Sequence, residues 1–304
     1  MKREKYRVRE LCYKLLVNES NRSLPARIYN KGMKTLFSFL IMLQYRLQGK
    51  GKNKAPFCDD MVITLTSYSD RFSAVYYTIL SLMKQSLRCR IILWVSGDER
   101  HDRMLKRILK IQDDCFSVRF CEDLKSYKKF YFTGSEMREK TIITVDDDVI
   151  YPRDFVERLS AAHALFPDNV ICYRGKRMSF SDGIPCNYNS WKVVYPEKEA
   201  VTSKRIMPIG MGGVLYPPFF FDDSVLSKNF LMVAPFGDDI WLKMFAVRKG
   251  IKTTVIPSKI SNWIGIPFSQ RKALFKGNVG NLRNEEYLKN ASVYFRLTEC
   301  DYND

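Results

Sequence analysis

The sequence predicts an α/β fold in which helices flank a mostly parallel β-sheet. From residue 57 onward, short runs of β-branched and apolar residues alternate with longer segments whose apolar residues recur at helical spacing. Alternation at this spacing is typical of parallel strands joined by right-handed crossovers. A chain of 304 residues, 46% of them hydrophobic, can bury one large core or one domain with appendages.

The predicted elements follow one another from the first apolar run. They are, in chain order, a strand at 61–66, a helix at 73–87, a strand at 90–95, a helix at 101–111, a strand at 117–120, a strand at 141–145, a helix at 152–165 and a strand at 169–173. The second half is less regular. It holds a glycine-rich turn at 210–213, a Pro- and Phe-rich stretch at 217–221 and a helix that begins at 237–239.

Basic residues are concentrated near the N-terminus. Residues 1–56 contain 14 Lys and Arg but only 3 Asp and Glu, a net charge of +11, whereas the whole chain carries +17. We therefore divide the chain into a basic, partly helical extension (1–56) and a body (57–304). The body comprises halves at about 57–150 and 151–265 and a C-terminal tail at 266–304.

The extension also contains an apolar run at 35–43, which is about half the ~20 residues that a membrane-spanning helix needs. Three interpretations stay open. The run and its flanking basic residues resemble an interfacial helix at an anionic membrane surface. The helix could instead pack on the back of the body. A nucleic-acid-binding arm is disfavoured, because the body contains no recognisable nucleic-acid module, so we expect no nucleic-acid partner.

The eight cysteines argue for a reducing compartment. They are scattered without CxxC spacing, which argues against a zinc site and against a disulfide framework. The N-terminus lacks the apolar core of a signal peptide. We expect a cytoplasmic location, with peripheral attachment to the inner face of the cytoplasmic membrane under the first interpretation of the extension.

An acidic triplet, Asp146-Asp147-Asp148, directly follows the strand predicted at 141–145. Open α/β sheets bind ligands at the carboxyl ends of their strands. Three adjacent like charges repel one another, so the triplet predicts a cation between them, such as a hard divalent metal ion carrying a phosphorylated substrate. The alternative is an acidic turn that caps the helix near Pro152, although a cap needs only one acid.

Polar side chains also follow other predicted strands. Thr66, Tyr68 and Arg71 end the first strand, where hydroxyls, an aromatic ring and a guanidinium suit a nucleotide, although a plain loop would look similar. Upstream of the triplet, the segment 123–129 carries Asp123, Lys128 and Lys129. Its lysines suit a diphosphate, although an exposed helix face is an equal alternative.

Two further motifs lie in the second half. The glycines of the 210–213 turn are expected to let the backbone approach a sugar closely. Asp238 and Asp239 begin a helix whose apolar face starts at Ile240 and Trp241. Asp238 alone would be explained as an N-cap, so Asp239 is the better candidate for a catalytic carboxylate.

Together these residues resemble the GT-A-fold nucleotide-sugar glycosyltransferases. The resemblance covers roughly residues 60–265 and rests on the order of the motifs: the lysine segment, the acidic triplet after a hydrophobic strand, the Gly-Gly turn and the late Asp-Asp helix start. It is closest to bacterial enzymes that build capsule, O-antigen or lipopolysaccharide sugars, and more distant to exostosin-like transferases. It implies a GT-A (Rossmann-like) mostly parallel sheet with the basic helical extension added.

The resemblance also implies the ligands. These are a nucleotide-sugar donor, with a UDP-sugar favoured, a glycan or lipid-linked acceptor, and Mn²⁺ or Mg²⁺ bound by an Asp-x-Asp motif. Whether the reaction inverts or retains the sugar configuration stays open. With the residue patterns above, the assignments are metal binding by Asp146 and Asp148; donor binding by Thr66, Tyr68, Arg71, Asp123, Lys128, Lys129, Asp146 and Asp147; catalysis by Asp239 and Asp238; and sugar or acceptor binding by Gly212, Gly213 and Trp241.

One departure concerns the metal. Many family members supply a further ligand, often histidine, from the C-terminal region, but no histidine follows His163 here. Either the metal relies on the aspartates, the diphosphate and water, or Lys252 or Lys259 supplies charge in its place. Two functions from other classes also stay open: a haloacid-dehalogenase-type phosphohydrolase, since 145–149 matches its hydrophobic Asp-x-Asp pattern, and a catalytically silent sugar-binding protein.

Overall fold

The computed structural model describes residues 23–258, 264–267 and 283–304, except the side chains of Leu24 and Arg27. The strands of this part are β1 (Phe57–Thr66), β2 (Arg88–Ser96), β3 (Phe116–Cys121), β4 (Thr141–Thr144), β5 (Val149–Ile150), β6 (Val170–Cys172), β7 (Gly175–Arg177), β8 (Phe180–Ser181), β9 (Ile184–Pro185), β10 (Lys192–Val194), β11 (Val201–Ser203), β12 (Ile206–Pro208), β13 (Val214–Tyr216), β14 (Thr253–Val255) and β15 (Ile264–Gly265). The helices are α1 (Leu24–Gln48), α2 (Phe72–Leu82), α3 (Arg103–Leu109), α4 (Lys128–Glu136), α5 (Phe155–Leu165), α6 (Phe230–Val233), α7 (Asp238–Arg248) and α8 (Arg283–Phe295).

Eight of these strands form one central sheet in the order β11-β14-β6-β13-β4-β1-β2-β3. The pairs β4–β1, β1–β2, β2–β3 and β14–β6 are parallel. Strand β13 is antiparallel to both β4 and β6, so β4 and β6 run in the same direction. The mostly parallel, helix-flanked α/β sheet predicted from the sequence is therefore confirmed, and its architecture is Rossmann-like.

Helices cover both faces of the sheet. Successive side chains of a strand point to opposite faces, and on these strands the side chains on both faces are apolar. On β1, Ile63 and Leu65 belong to a buried cluster that includes Phe72 and Ile79 of α2. Val62, directly before Ile63, belongs to a second cluster that includes Trp241 of α7. The shorter strands β7, β10 and β12 form a separate three-stranded sheet.

Several element boundaries differ from the prediction. Helix α2 ends at Leu82 rather than at residue 87, and α5 begins at Phe155 rather than at Pro152. Gln85 explains both ends, because its amide donates to the carbonyl oxygens of Ser81 and Pro152. Its side-chain oxygen accepts from the backbone N–H of Val156. The glutamine thus satisfies backbone groups at the ends of two helices at once.

Helix α1 contains the predicted apolar run and packs on the body. Phe37 and Ile41 are buried, and the hydroxyl of Ser38 donates to the carbonyl oxygen of Gly265 at 3.2 Å. Ile41 shares a small cluster with Ile150 of β5 and Ile264 of β15. One face of the helix therefore matches the packing interpretation of the extension.

The opposite face of α1 is apolar and exposed. Leu36, Leu40, Leu43 and Leu47 form this leucine stripe and are 50%, 43%, 53% and 79% exposed. At about 100° per residue, they fall within an arc of roughly 60°. In the described part of the chain, no helix combines the length and the hydropathy needed to cross a membrane. Packing on the body thus accounts for only one of the helix's two apolar faces.

Candidate functional site

A cavity of about 820 Å³ opens at the carboxyl ends of β1 and β4. The strand order of the sheet reverses between these two strands, which is where open α/β folds bind their ligands. The cavity brings together most of the residues assigned from the sequence. Those that line it are Thr66, Tyr68, Arg71, Asp123, Lys128, Lys129, Asp146, Asp147, Asp148, Asp238 and Asp239.

Arg71 binds two aspartates of the triplet. Its Nη2 lies 2.8 Å from Asp147 Oδ1 and 2.6 Å from Asp148 Oδ2. The hydroxyl of Ser67 donates to the other oxygen of Asp147 at 2.7 Å. Asp147 is consequently engaged by protein groups on both oxygens. The predicted cation between the like charges is thus supplied in part by a side chain that was assigned to the nucleotide.

Lys129 is the second buried cation of the site. It is only 7% exposed. Its Nζ forms an ion pair with Asp238 and lies 3.6 Å from Asp239 and 3.9 Å from Asp146. Burial by itself would lower the pKa of Lys129, but the three carboxylates outweigh it and hold that pKa well above its ordinary value. Lys129 is therefore charged and joins the triplet to the start of α7.

Around Arg71 and Lys129 the local charge is more negative than positive, since five carboxylates surround these two cations. Burial raises the pKa of Asp146 to about 7; Lys129 opposes this rise, while Asp148 and Asp239 add to it. Burial likewise raises the pKa of Asp147 to about 6, although Arg71 opposes it. The surplus negative charge favours a further cation in the cavity or partial protonation of the carboxylates.

Asp239 is fixed from the glycine-rich turn. The backbone N–H of Gly210 donates to its Oδ2 at 3.3 Å, and a Cβ on Gly210 would lie 3.2 Å from the same oxygen. The Asp239 side chain is 34% exposed, so it is reachable from the cavity. Burial raises the pKa of Asp239, with Lys129 opposing and Asp238 adding to the rise. An accessible carboxyl group with a raised pKa suits proton transfer near neutral pH.

Lys128 and Asp123 form a separate pair at the cavity wall. Lys128 Nζ lies 2.7 Å from Asp123 Oδ1, and Lys125 binds the other oxygen of this carboxylate. Burial alone would raise the pKa of Asp123, but the hydrogen bonds from Lys125 and Lys128 hold it well below its ordinary value. Both partners line the cavity as an ion pair.

Three residues assigned to the sugar or acceptor lie outside the cavity lining. Trp241 is fully buried and its indole N–H donates to the carbonyl oxygen of Val225 at 2.8 Å, because α7 turns this position towards the core. Gly213 has a φ of +79°, and a Cβ there would lie 2.6 Å from the ring of Phe155. A Cβ on Gly212 would face Tyr173 at 3.5 Å. Local packing therefore requires glycine at position 213, whereas Gly212 has room for a Cβ.

Two capping interpretations are also corrected. Asp238 is not the N-cap of α7, since Gly237 occupies that position and Asp238 binds Lys129 instead. The triplet does not cap α5 either. The N-cap residue of α5 is Asp154, which makes no side-chain capping bond, and Gln85 binds the N–H of Val156. The acidic triplet therefore needs an explanation other than helix capping.

Two lysines are suggested by the sequence as substitutes for a missing histidine. Lys252 does not line the cavity, and Lys259 lies outside the described residues. Within the described residues, no group of three or more histidine, cysteine or acidic side chains is arranged to hold a metal ion. A metal here would depend on ligands from a bound substrate.

The cavity also contains residues that sequence analysis missed or, in the case of Gly210, assigned to a sugar instead. Ser67 and Gly210 position two of the carboxylates, and a basic pair, Arg174 and Lys176, lines the wall. The pair directly follows the predicted strand 169–173, so the strand-end criterion used for the triplet would have found it.

The chain is similar to known proteins in structure but not in sequence. No family model matches the chain, and no curated protein has a matching sequence. Among solved structures, the chain is similar to the inositol-1-phosphate CTP transferase from T. maritima, with a TM-score of 0.42 and 11% identity. The match covers 79% of this chain and 98% of that one.

Proposed function

We propose that this protein is a metal-dependent glycosyltransferase that moves a sugar from a nucleotide-sugar donor, with a UDP-sugar favoured, to a glycan or lipid-linked acceptor. One observation carries the proposal. Asp146, at the end of β4, and Asp239, at the start of α7, face the same cavity and share Lys129. The site thus combines a carboxylate suited to a cation with a carboxylate suited to a proton.

The side chains present fit a hard divalent cation. Asp146 offers carboxylate oxygens, the donor type that Mg²⁺ and Mn²⁺ prefer, and Asp148 offers them in competition with Arg71, whose Nη2 lies 2.6 Å from its Oδ2. Mg²⁺ is usually held by one or two protein carboxylates together with substrate phosphates, so two ligands suffice. Such a cation, when bound, stabilises the negative charge that develops on a diphosphate leaving group.

Asp239 is proposed to accept a proton from the acceptor hydroxyl. The hydrogen bond from Gly210 fixes the orientation of its carboxylate, and its partial exposure lets a hydroxyl group approach. Because its pKa is raised, Asp239 is a stronger base than an ordinary aspartate once it is deprotonated. Lys129 keeps Asp239 close to Asp238 and Asp146.

The nucleotide is proposed to lie over the end of β1. Tyr68 lines the cavity there and offers a ring for stacking on a base. The hydroxyl of Thr66 already donates to the carbonyl oxygen of Trp94 at 2.9 Å, so it has only acceptor capacity left for a ribose. Lys128 lines the same cavity and is proposed to face the diphosphate.

The assay that tests the proposal is hydrolysis of UDP-, GDP- and CMP-sugars with Mn²⁺, with Mg²⁺ and with EDTA. We expect release of sugar from one donor class in Mn²⁺ or Mg²⁺ and none in EDTA. Asp146→Asn should abolish this release with little change in melting temperature, since the nearest cation lies 3.9 Å from Asp146. Asp154→Asn, an exposed acid outside the cavity, is the control.

The other outcomes identify other functions. Full activity in EDTA would exclude the metal-dependent mechanism. Phosphate release from p-nitrophenyl phosphate without turnover of any nucleotide sugar would indicate a phosphohydrolase. Binding of a nucleotide sugar without any turnover would indicate a catalytically silent binding protein.

We also propose that α1 attaches the protein peripherally to an anionic membrane at the cytoplasmic face. The leucine stripe is exposed while the opposite face of the helix packs on the body. Residues 23–56 contain seven Lys and Arg and no Asp or Glu, so the charge around the stripe complements anionic headgroups. An apolar stripe flanked by basic residues is the pattern of interfacial helices, and a lipid-linked acceptor would lie at this surface.

Vesicle co-sedimentation tests the attachment. The full chain should bind phosphatidylglycerol vesicles more than phosphatidylcholine vesicles, and less in high salt. Leu40→Asp/Leu47→Asp should lower binding by more than about tenfold, because the variant loses two apolar side chains that the membrane would bury. Leu165→Asp, at a position on α5 that is 75% exposed, is the matched control. No vesicle binding by the wild type, or self-association that the double variant abolishes, would contradict the membrane proposal.

A further inference from the structure

The cavity contains a second pair of cations that the proposed chemistry does not use. Arg174 directly precedes β7, and Lys176 lies within it. Both line the cavity and both are half-buried. On a strand, residues two apart point to the same face, so these side chains are presented together. The pair belongs to the small sheet rather than to the central one.

This pair differs from the other cations of the cavity in having no acidic partner. Arg71, Lys128 and Lys129 each lie within 4.0 Å of an aspartate. In the described ranges, no carboxylate lies that close to Arg174 or Lys176. At the acidic triplet the carboxylates outnumber the cations, whereas here, among the residues described, two cations lie together without a carboxylate.

The local contacts of the pair leave donors unused. Arg174 Nη1 lies 3.9 Å from the sulfur of Met211, and its Nε is buried without a hydrogen-bond partner. Lys176 Nζ donates to the carbonyl oxygen of Tyr188 at 3.0 Å and lies 3.8 Å from the centre of its ring. Buried donors are normally satisfied, so the guanidinium has capacity for a ligand. Burial, and then repulsion from Arg174, lower the pKa of Lys176.

The topology places this pair beside Asp239 and away from the donor nucleotide. Strand β6 runs in the same direction as β4, so the chain leaves β6 towards Arg174 at the edge of the sheet that bears the triplet. It emerges two strands from β4, roughly 10 Å away, on the side opposite to β1. Adjacent backbone groups link Arg174 to Asp239: the N–H of Ile209 donates to the carbonyl oxygen of Arg174 at 2.9 Å, and the N–H of Gly210 donates to Asp239 Oδ2 at 3.3 Å.

We infer that Arg174 and Lys176 bind an anionic group of the acceptor, a carboxylate or a phosphate, next to the hydroxyl group that Asp239 deprotonates. The inference rests on the proposed function, since it deepens the acceptor half of the same site. A guanidinium with an adjacent ammonium is a suitable receptor for both anions, through charge-assisted hydrogen bonds. The acceptor class is then an acidic sugar or a phosphate-bearing glycan or lipid.

The test measures the binding of small probes to the full chain saturated with UDP and Mn²⁺. Calorimetry or ligand-observed NMR gives the affinity of each probe. The probes are glucuronate, glycerol phosphate and neutral glucose. At least one anionic probe should bind about tenfold more tightly than glucose, since hydrogen bonds to charged groups contribute at least this factor. The preferred probe distinguishes a carboxylate from a phosphate source.

Arg174→Gln/Lys176→Gln should remove this preference while UDP affinity and donor hydrolysis stay near wild type. Arg177→Gln is the matched control, because Arg177 is the next residue of β7, is exposed and lies on the other face of the strand. Melting temperatures of all variants, including the single variant Lys176→Gln, show whether a loss of anion binding is instead a loss of folding.

Three results would overturn the inference: no anion preference in the wild type, a preference that survives in the double variant, or a loss of UDP affinity that matches the loss of anion binding. The last would assign the pair to the donor diphosphate. Donor hydrolysis with water as acceptor does not require the pair, so it reports on the proposed function separately. If the wild type hydrolyses the donor but shows no anion preference, only the inference is overturned. If the wild type does not hydrolyse any donor, the proposed function is overturned.

Discussion

Replacing Asp239 by asparagine is expected to slow sugar transfer by about 10²–10⁴-fold, which is the usual contribution of a general base. Asparagine keeps the size of the side chain, and its carbonyl oxygen can still accept the hydrogen bond from Gly210 N–H, which is 3.3 Å from Asp239 Oδ2 in the structure. What is lost is the ability to take a proton. The affinity for UDP should change little, because the nucleotide is proposed to lie over the end of β1.

The measurement is kcat at saturating donor, together with the Kd for UDP. Asp223→Asn, an acid whose side chain is 89% exposed, is the control. Because burial raises the pKa of Asp239, the wild-type rate should rise with pH through a value above the ordinary range of an aspartate, since only the deprotonated form accepts a proton. Loss of UDP binding with unchanged kcat would assign Asp239 to donor binding instead.

The central fold follows from local sequence because the strands are apolar on both faces. The segment Met61–Thr66 presents alternate residues to two cores, and the strand predicted at 141–145 does the same, so both read as continuous β-branched or apolar runs. Once these strands are parallel, their carboxyl ends meet at one edge. This is why the acidic triplet and Arg71, far apart in sequence, could be assigned to the same site.

The errors arise where the answer depends on which face of an element points to the cavity. Asp238, Asp239 and Trp241 all lie in the first turn of α7, but only tertiary packing turns Trp241 towards Phe230 and the aspartates towards Lys129. The glycine-rich turn gives a similar case. Gly210 contacts Asp239 and Gly213 contacts Phe155, although glycine spacing is equally compatible with either arrangement.

The sequence does not distinguish the role of Lys129 from that of Lys128, but the structure gives the two lysines different partners. Lys129 lies among three carboxylates, and the side chain of its nearest partner, Asp238, is only 11% exposed. Lys128 binds Asp123, whose side chain is 36% exposed and is also bound by Lys125. Removing the charge of Lys129 would therefore leave the buried carboxylate of Asp238 unpaired. Removing the charge of Lys128 would leave Asp123 with Lys125 as its partner.

Lys129→Met is accordingly expected to lower the free energy of unfolding by about 3–5 kcal/mol, the usual cost of leaving a buried charge without its partner. Lys128→Met, the same change one residue earlier, should cost clearly less, because Asp123 keeps Lys125 and contact with water. The double variant Lys129→Met/Asp238→Asn should recover part of the lost stability, since it removes the carboxylate that was left unpaired. Urea unfolding of all variants measures these differences. Equal losses for the two lysine variants, or no recovery in the double variant, would mean that Lys129 contributes packing rather than charge neutralisation to the site.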